Sequence, residues 1–249
     1  MNDHALAREL ATSAGELLLQ LRTTGLQGAA LKDTGDRDAH VLLMAELAHR
    51  VPRDGVLSEE GVAESAVQAG RLSRSRVWII DPLDGTREYG EPASIDWAVH
   101  VALTIDGTAT VGSVALPARA MTLSTGYPLP EPAAYDGPPR LAVSRTRPTA
   151  HGAALADALG GVLVPMGSAG AKAMAVVLGE VDIYAHSGGM YEWDSAAPVA
   201  VAAAAGLHTS RLDGSPLVYN RENPYLPDLL ICRPEYAQTA IDVCAAVSA

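Results

Sequence analysis

The sequence predicts an α/β fold in which layers of helix and sheet alternate. Residues 3–22 show an amphipathic helical pattern, with leucines on one face and charged residues on the other. The apolar, β-branched run Val77–Ile80 is typical of a buried strand, and the alternation over residues 97–105 is typical of a second strand. Because helical and strand patterns follow one another along the chain, we expect helices packed on sheets.

Size and composition indicate a soluble, globular protein. The chain has 249 residues, of which 48% are hydrophobic and 19% charged, enough to bury a large core as one domain or two smaller ones. No stretch approaches the roughly 20 apolar residues of a membrane span, and residues 1–10 do not resemble a signal peptide. We therefore expect a cytoplasmic protein that does not bind membranes.

Charge and cysteine content narrow the class of ligand. The formal net charge of −11 argues against a nucleic acid polymer as partner, since phosphate backbones require a basic face. An anionic substrate would need bound cations to offset the protein's own field. Cys232 and Cys244 lack metal-ligand spacing, so we expect buried free thiols.

Periodicity and turn residues predict the remaining elements in chain order. In the first half these are helices at 3–22 and about 36–50, strands at Val56–Leu57 and Val77–Ile80, and strands at 97–105 and 109–116 joined by a hairpin turn at Asp106–Gly107. The stretch Gly126–Arg140, rich in Pro, Gly and Ala, is the best candidate for a domain boundary, which divides the chain into halves 1–135 and 136–249. In the second half the elements are strand 141–143, helix 149–159, strand 162–164, helix 170–179, strand 181–185, helix 192–205, strand 229–232 and a C-terminal helix.

Two aspartates follow the predicted strand Val77–Ile80. That strand is expected to stop at Asp81, because Pro82 removes the backbone donor that the ladder needs. Asp84 follows three residues later, and Gly85 allows close backbone approach. Two carboxylates placed here repel each other unless a cation lies between them, and all-oxygen ligands favour Mg²⁺ or Mn²⁺ over zinc. An ordinary acidic turn with a helix cap is the alternative, but the complete string Trp78–Thr86 favours a metal site.

Three further acidic positions have both an ordinary and a functional interpretation. Asp36 and Asp194 each fit the N-cap of a following helix, and Glu59–Glu60 fits solvated surface at a strand end. The functional alternative is that a pair of Mg²⁺ ions needs more carboxylates than two aspartates supply. From the residues alone both interpretations stay open.

The stretch Gly167–Gly170 opens a helix whose free N–H groups would favour an anion, although a plain helix cap also explains it. Lys172 lies in the first turn of this helix, where the helix dipole disfavours a cation. That placement indicates an anionic partner.

Three acidic motifs resemble those of the inositol monophosphatase superfamily. Asp81–Thr86 and Trp193–Ala197 are similar to its two signature motifs, and Ser58–Glu60 is similar to its upstream acidic motif. The motifs occur in the family's order, and the similarity extends from the first helix to about residue 232. The resemblance implies the layered α-β-α-β-α sandwich shared with fructose-1,6-bisphosphatase, a Mg²⁺-dependent phosphatase activity, and an active site between the two halves.

Within this family, the chain most resembles the actinobacterial 3′-phosphoadenosine-5′-phosphate phosphatases of the nucleotide bisphosphatase branch. Thr86–Tyr89 is similar to the branch's Thr-Lys-Glu-Phe, Lys172 matches a lysine of the branch, and Ser144–Arg145 resembles the start of its Ser-Arg-Ser-His stretch. The departures from the branch are Arg87 for lysine, Tyr89 for phenylalanine and Arg147 for histidine.

The resemblance implies removal of the 3′-phosphate from adenosine 3′,5′-bisphosphate, or from 3′-phosphoadenylyl sulfate, in sulfur assimilation. An inositol-1-phosphate or fructose-1,6-bisphosphate phosphatase is the alternative, because these enzymes share every metal ligand. A catalytically silent homologue that binds nucleotide or metal as a regulator is a third interpretation, which a missing ligand would favour, and none is missing. The resemblance also implies inhibition by Li⁺ and a homodimer.

The family scheme further implies metal ligands residue by residue. Glu59, Asp81 and the backbone carbonyl of Leu83 would hold one Mg²⁺. Asp81, Asp84 and Asp194 would hold a second, and Glu59 would help a weaker third ion through water.

The same scheme implies the groups that act on the substrate. Thr86 with Asp36 would orient and deprotonate the attacking water, and the N–H groups of Gly85 and Thr86 would cradle the phosphate. The positions matching the leaving-group and second-phosphate contacts are Gly167, Ser168, Ala169, Asp194, Lys172, Arg145 and Ser144.

Overall fold

The computed structural model describes residues 2–61, 70–132, 135–146 and 149–248. The α-helices in these ranges are α1 (Asp3–Arg22), α2 (Gly28–Arg50), α3 (Thr86–Tyr89), α4 (Ala150–Leu159), α5 (Ala169–Val177), α6 (Glu192–Ala204) and α7 (Ala237–Ser248). The strands are β1 (Gly55–Ser58), β2 (Arg76–Asp84), β3 (Ala98–Ile105), β4 (Thr108–Leu116), β5 (Met121–Ser124), β6 (Arg140–Ser144), β7 (Val162–Met166), β8 (Ile183–Tyr191), β9 (His208–Ser210) and β10 (Tyr225–Cys232).

The strands form two five-stranded sheets, and the helices form three layers around them. The first sheet has the order β1-β2-β3-β4-β5 and the second β7-β6-β8-β10-β9. Helices α1 and α2 pack on one face of the first sheet, α5 and α6 lie between the sheets, and α4 and α7 cover the outer face of the second. The predicted α/β fold with an α-β-α-β-α sandwich is confirmed.

Strand β2 is buried on both faces, which explains its unbroken apolar run. Trp78 and Ile80 face α1 and α2, whereas Val77 and Ile79 face the helices between the sheets. The expected stop at Asp81 is wrong, since β2 continues to Asp84 with a register shift between the two aspartates. An irregularity at this point tolerates Pro82, which has no N–H to donate to a neighbouring strand.

Helix α2 begins at Gly28, eight residues before the predicted start, so the N-cap interpretation of Asp36 is wrong. The buried face of α2 includes Gly35, where an added Cβ would lie 2.9 Å from the Tyr89 ring and 3.2 Å from Leu83. A glycine is needed at this close approach, and it interrupts the apolar pattern from which the helix was predicted. Asp36 therefore lies inside α2, directly after Gly35, where the helix closely approaches Tyr89 and Leu83.

The predicted start of α6 at Glu192 is confirmed, but the N-cap interpretation of Asp194 is wrong. The N-cap of α6 is Tyr191, and Asp194 is the third residue of the helix, where its carboxylate accepts a hydrogen bond from the Tyr191 N–H at 2.6 Å. Strand β8 extends six residues beyond its predicted end, and α6 begins at the residue that follows the strand. Asp194 is thus held rigidly at the junction of a strand and a helix.

Two further predictions can be compared with the structure. Cys232 and Cys244 are both buried, as expected. Across the described ranges, no helix combines the length and the apolar character that crossing a bilayer requires. The strands of the two sheets lie within residues 55–124 and 140–232, and the division of the chain near residue 135 stays a prediction.

Candidate active site

Three carboxylates, two from β2 and one from α6, meet at the end of β2. One carboxylate oxygen from each of Asp81, Asp84 and Asp194 lies within 4.8 Å of the other two. Asp81 is 1% and Asp84 7% exposed, and both come from β2, whereas Asp194 comes from the first turn of α6. The fold therefore assembles the acidic cluster that the sequence motifs predicted.

One carboxylate oxygen of Asp81 has no hydrogen-bond partner among the described residues. Asp81 accepts a hydrogen bond at Oδ1 from the Leu83 N–H at 3.1 Å, whereas no donor of the described residues reaches its buried Oδ2. Burial and the charges of Glu59 and Asp84 raise the pKa of Asp81 well above its usual range. Burial and the charge of Asp194 raise the pKa of Glu59 to about 7. Crowded carboxylates with an unpartnered buried oxygen fit a divalent cation, and oxygen donors of this kind suit Mg²⁺ or Mn²⁺.

Asp36 and Thr86 meet beside this cluster. Thr86 Oγ1 lies 3.4 Å from Asp36 Oδ1 and 3.1 Å from the carbonyl oxygen of Leu83. Burial, together with the charge of Glu60, raises the pKa of Asp36 to about 7. A carboxylate with this pKa can accept a proton near neutral pH.

Gly85 makes the turn between β2 and α3. Its φ of +83° is in the left-handed region, and an added Cβ would lie 2.9 Å from the Asp96 carbonyl and 3.0 Å from Ser168 Cβ. Only glycine meets both conditions without strain. The turn brings the backbone of Gly85 and Thr86 to the wall of the cavity described below.

The carboxylate of Asp84 caps helix α5, a contact that the sequence did not predict. It accepts hydrogen bonds from the N–H groups of Ala169 at 3.1 Å and Gly170 at 2.6 Å, and from the Ser168 hydroxyl. The expectation that these N–H groups face an external anion is therefore wrong for Ala169 and Gly170, because Asp84 already takes that place. A carboxylate at a helix N-terminus is stabilised by the orphan donors and the helix dipole.

His100 is a site residue that the sequence analysis missed. Its fully buried imidazole lies in β3 directly opposite Asp81, with Nδ1 3.0 Å from the Trp193 carbonyl and Nε2 3.3 Å from Asp84 Oδ2. Burial alone would raise the pKa of Asp84, but His100, Ser168 and Gly170 together lower it to about 2. A histidine within an otherwise apolar strand was the available signal, and only the strand register shows what it faces.

A cavity of about 600 Å³ opens from this cluster. Its lining includes every position implied for substrate contact: Gly85, Thr86, Ser144, Arg145, Gly167, Ser168, Ala169, Lys172 and Asp194. Its size is within the usual range for small-molecule sites. Arg147, which the sequence comparison singled out, lies outside the described residues.

Two cations line the cavity in different environments. Lys172 is 6% exposed, its Nζ lies 5.2 Å from the centre of the Tyr184 ring, and burial lowers its pKa against the opposing effect of Asp84. Arg145 is more exposed, and its Nη2 lies 2.5 Å from Asp96 Oδ2. The same Asp96 oxygen accepts a hydrogen bond from the Gly167 N–H at 3.0 Å, so it joins two parts of the lining.

Comparisons with known proteins agree with the motifs. The family model "Inositol monophosphatase family" matches residues 3–243. The chain is 49% identical over 257 residues to the 3′-phosphoadenosine 5′-phosphate phosphatase of Mycobacterium leprae, covering 98% of this chain and 93% of that protein. It is 51% identical over 237 residues to the protein of the same name from Mycobacterium tuberculosis, covering 90% and 86%. The 3′(2′),5′-bisphosphate nucleotidase CysQ of Escherichia coli is 28% identical over 88% of this chain and 94% of its own length.

Solved structures share the fold. CysQ from Bacteroides thetaiotaomicron superposes with a TM-score of 0.76 at 25% identity, covering 92% of this chain and 96% of that one. Staphylococcal IMPase-II superposes with a TM-score of 0.78 at 19% identity, covering 99% and 97%. The sequence motifs, the acidic cluster and these likenesses agree, and the chain belongs to the inositol monophosphatase family.

Proposed function

We propose that this chain is a Mg²⁺-dependent phosphatase that removes the 3′-phosphate from adenosine 3′,5′-bisphosphate, or from 3′-phosphoadenylyl sulfate, in sulfur assimilation. The observation that carries the proposal is identity of about half over nearly the whole chain to a protein named 3′-phosphoadenosine 5′-phosphate phosphatase. The acidic cluster and the cationic cavity beside it support the same reaction, because a phosphate monoester needs both charge neutralisation and a leaving-group pocket.

The metal ligands proposed here are side chains of the acidic cluster and one carbonyl. Glu59, Asp81 and the Leu83 carbonyl would hold one Mg²⁺ or Mn²⁺, and Asp81, Asp84 and Asp194 a second, with Glu59 serving a third ion through water. Bound ions of this kind lower the pKa of water, neutralise phosphate charge and stabilise the departing oxygen. The unpartnered Asp81 Oδ2 is the atom that most directly supports this assignment.

The protein's own groups orient the reactants. The attacking water would be held between Thr86 Oγ1 and Asp36, and its proton would be taken up at Asp36 Oδ1, whose pKa of about 7 suits that task. The N–H groups of Gly85 and Thr86 would hold the phosphate. Gly167, Ser168 and Ala169 would line the leaving group.

Lys172 and Arg145 are proposed to bind the second phosphate of the substrate, with Ser144 beside them. Both cations line the cavity, and Lys172 is held in a buried position where an anion would offset its cost of desolvation. The location of the active site between residues 1–135 and 136–249, inhibition by Li⁺ and homodimerisation complete the proposal. Titration of the phosphatase activity with Li⁺ would test the inhibition, and light scattering would test the homodimer.

Substrate preference tests the proposed function. At equal concentrations with Mg²⁺, we expect kcat/KM for adenosine 3′,5′-bisphosphate to exceed that for inositol-1-phosphate and fructose-1,6-bisphosphate by at least about 100-fold. That ratio corresponds to about 2.7 kcal/mol of transition-state discrimination. Comparable rates, or a preference for inositol-1-phosphate, would overturn the nucleotide assignment and leave the metal site intact.

The role of Lys172 has its own test. Replacing it as Lys172→Met keeps most of the buried side-chain volume and removes the charge, so we expect kcat/KM for adenosine 3′,5′-bisphosphate to fall about 30-fold, the value of a charged hydrogen bond. Adenosine 3′-phosphate, which lacks the 5′-phosphate, should lose less than about 3-fold. Lys172→Arg should recover part of the difference. An equal loss on both substrates would show that Lys172 acts on the site as a whole.

A further inference from the structure

The cavity is lined by more than phosphate-binding groups. Strand β8 contributes Tyr184, His186 and Tyr191 to its lining. Phosphate is bound by cations and N–H donors, whereas aromatic rings bind flat, apolar groups through their faces. This part of the cavity therefore has the chemistry of a site for a planar ring.

Two of the three rings are engaged in polar contacts with the protein. Tyr184 is 1% exposed, with Lys172 Nζ near its face and its hydroxyl 3.2 Å from His186 Nδ1. His186 Nε2 in turn lies 3.0 Å from the Gly189 carbonyl. Tyr191 instead packs against other rings of the described residues, Trp193 and, edge-on at 6.1 Å, Tyr225, and it is 45% exposed although it lines the same cavity.

The Tyr191 ring is held in place before any ligand binds. It packs parallel to the Trp193 ring, with centroids 4.7 Å apart and an angle of 10° between planes. Trp193 is itself 4% exposed and packs in the apolar core between the two sheets, so it holds the Tyr191 ring in a fixed position. A ring fixed in this way loses little conformational entropy when a ligand stacks against it.

The backbone of Tyr191 is hydrogen-bonded to a carboxylate of the acidic cluster. Tyr191 is the N-cap of α6, and its N–H donates to Asp194 Oδ2 at 2.6 Å. The distance between the ring and the acidic cluster is therefore set within four consecutive residues, 191–194. A ligand stacked on Tyr191 would have its attached phosphate held at a defined distance from Asp194.

We propose that Tyr191 is a stacking surface for the adenine base and determines the preference for a nucleotide over base-free phosphates. The inference rests on the proposed function and adds a residue to its substrate site. Inositol and hexose phosphates have no aromatic face and gain nothing from Tyr191. Loss of a base-stacking aromatic side chain typically weakens binding by about 10- to 100-fold.

The experiment separates the base from the phosphate. Binding of adenosine 5′-phosphate, the product of 3′-dephosphorylation, is compared with binding of ribose 5-phosphate by titration calorimetry in the presence of Mg²⁺. The wild-type protein should bind adenosine 5′-phosphate at least about 10-fold more tightly. Tyr191→Ala should abolish that difference while leaving ribose 5-phosphate affinity unchanged, and Tyr191→Phe should retain it.

Tyr135 provides a matched control. It is a tyrosine of similar exposure, at 40%, and it is absent from the cavity lining formed by the described residues. Tyr135→Ala should keep the difference between the two ligands. Tyr191→Leu, which preserves bulk against Trp193, replaces Tyr191→Ala if the latter unfolds.

The outcomes are distinct. Equal affinity of the wild-type protein for the two ligands, or an equal loss for both in Tyr191→Ala, would overturn the stacking role. So would a loss in Tyr135→Ala as large as that in Tyr191→Ala. If the wild-type protein releases no phosphate from adenosine 3′,5′-bisphosphate, the proposed function fails. If it does and Tyr191→Ala keeps the wild-type preference over inositol-1-phosphate, only the stacking inference fails.

Discussion

Asp81→Asn is expected to reduce phosphate release by about 10³-fold or more, equivalent to about 4 kcal/mol of activation free energy. The asparagine oxygen can still accept the hydrogen bond from the Leu83 N–H, so the local turn is retained. The negative charge and the unpartnered Oδ2 are lost, and these are the features that a cation requires. The measurement is kcat for adenosine 3′,5′-bisphosphate at saturating Mg²⁺, together with the Mg²⁺ concentration that gives half-maximal activity.

The stability of the same variant should change in the opposite direction. In EDTA, Asp81 lies against the carboxylates of Glu59 and Asp84 without compensation, so removing its charge should leave the unfolding temperature at or above the wild-type value. This separates a metal ligand from a structural aspartate. Retained phosphate release in Asp81→Asn would show that the proposed metal mechanism is wrong.

Asp182 is the matched structural control. It is also 1% exposed, but its Oδ2 accepts hydrogen bonds from the Arg140 N–H at 2.8 Å and Arg140 Nε at 3.1 Å. Asp182→Asn should therefore destabilise the protein by about 1.5–3 kcal/mol while activity per folded molecule is unchanged. A catalytically silent homologue would have no activity to lose, although one that binds metal would still be stabilised by Mg²⁺.

The part of the site that could be predicted from the sequence is local in the chain. Asp81 and Asp84 lie at the end of a strand whose burial is evident from its own residues, and Gly85 and Thr86 follow it. Asp194 is similarly fixed by the start of a helix that its neighbours predict. In both cases a few consecutive residues determine both the backbone and the direction of the side chain.

The contacts that escaped prediction join distant residues. The sequence predicts a helix start at Asp36 because Gly35 weakens the helical pattern. The structure requires a glycine there because the Tyr89 ring packs closely against α2. His100 faces Asp81 only through the register of β2 and β3, and a one-residue slip would turn it to the other side of the sheet. Asp84 caps a helix that begins 85 residues later. Each depends on tertiary packing that no local pattern contains.

Gly170 is the position where these long-range contacts are most tightly constrained. An added Cβ would overlap Nε2 of the buried His100 and lie 3.0 Å from Asp84 Oδ2. Gly170 is in α5 without a positive φ, so alanine suits its backbone and would by itself favour the helix by up to about 1 kcal/mol. Any loss in Gly170→Ala must therefore come from the displaced side chains.

We expect Gly170→Ala to lower the free energy of unfolding by about 1–3 kcal/mol, the usual cost of overpacking. It should also reduce kcat about 100-fold, because a shift of about 1 Å in Asp84, or in the Trp193 carbonyl that His100 contacts, misplaces the catalytic carboxylates. Urea unfolding and steady-state kinetics with saturating Mg²⁺ measure the two effects. Gly70→Ala, where the added Cβ meets no atom of the described residues within 4 Å, is the control and should be near neutral in both.

A double substitution decides whether the imidazole is the obstacle. His100→Asn shortens the side chain that the new Cβ would overlap, so Gly170→Ala should cost less stability in the His100→Asn protein than in the wild type. A coupling of about 1 kcal/mol or more would place the constraint at the contact between His100 and α5. Additive losses would contradict it and locate the damage in the hydrogen bonds from α5 to Asp84 instead, since those bonds do not involve the ring.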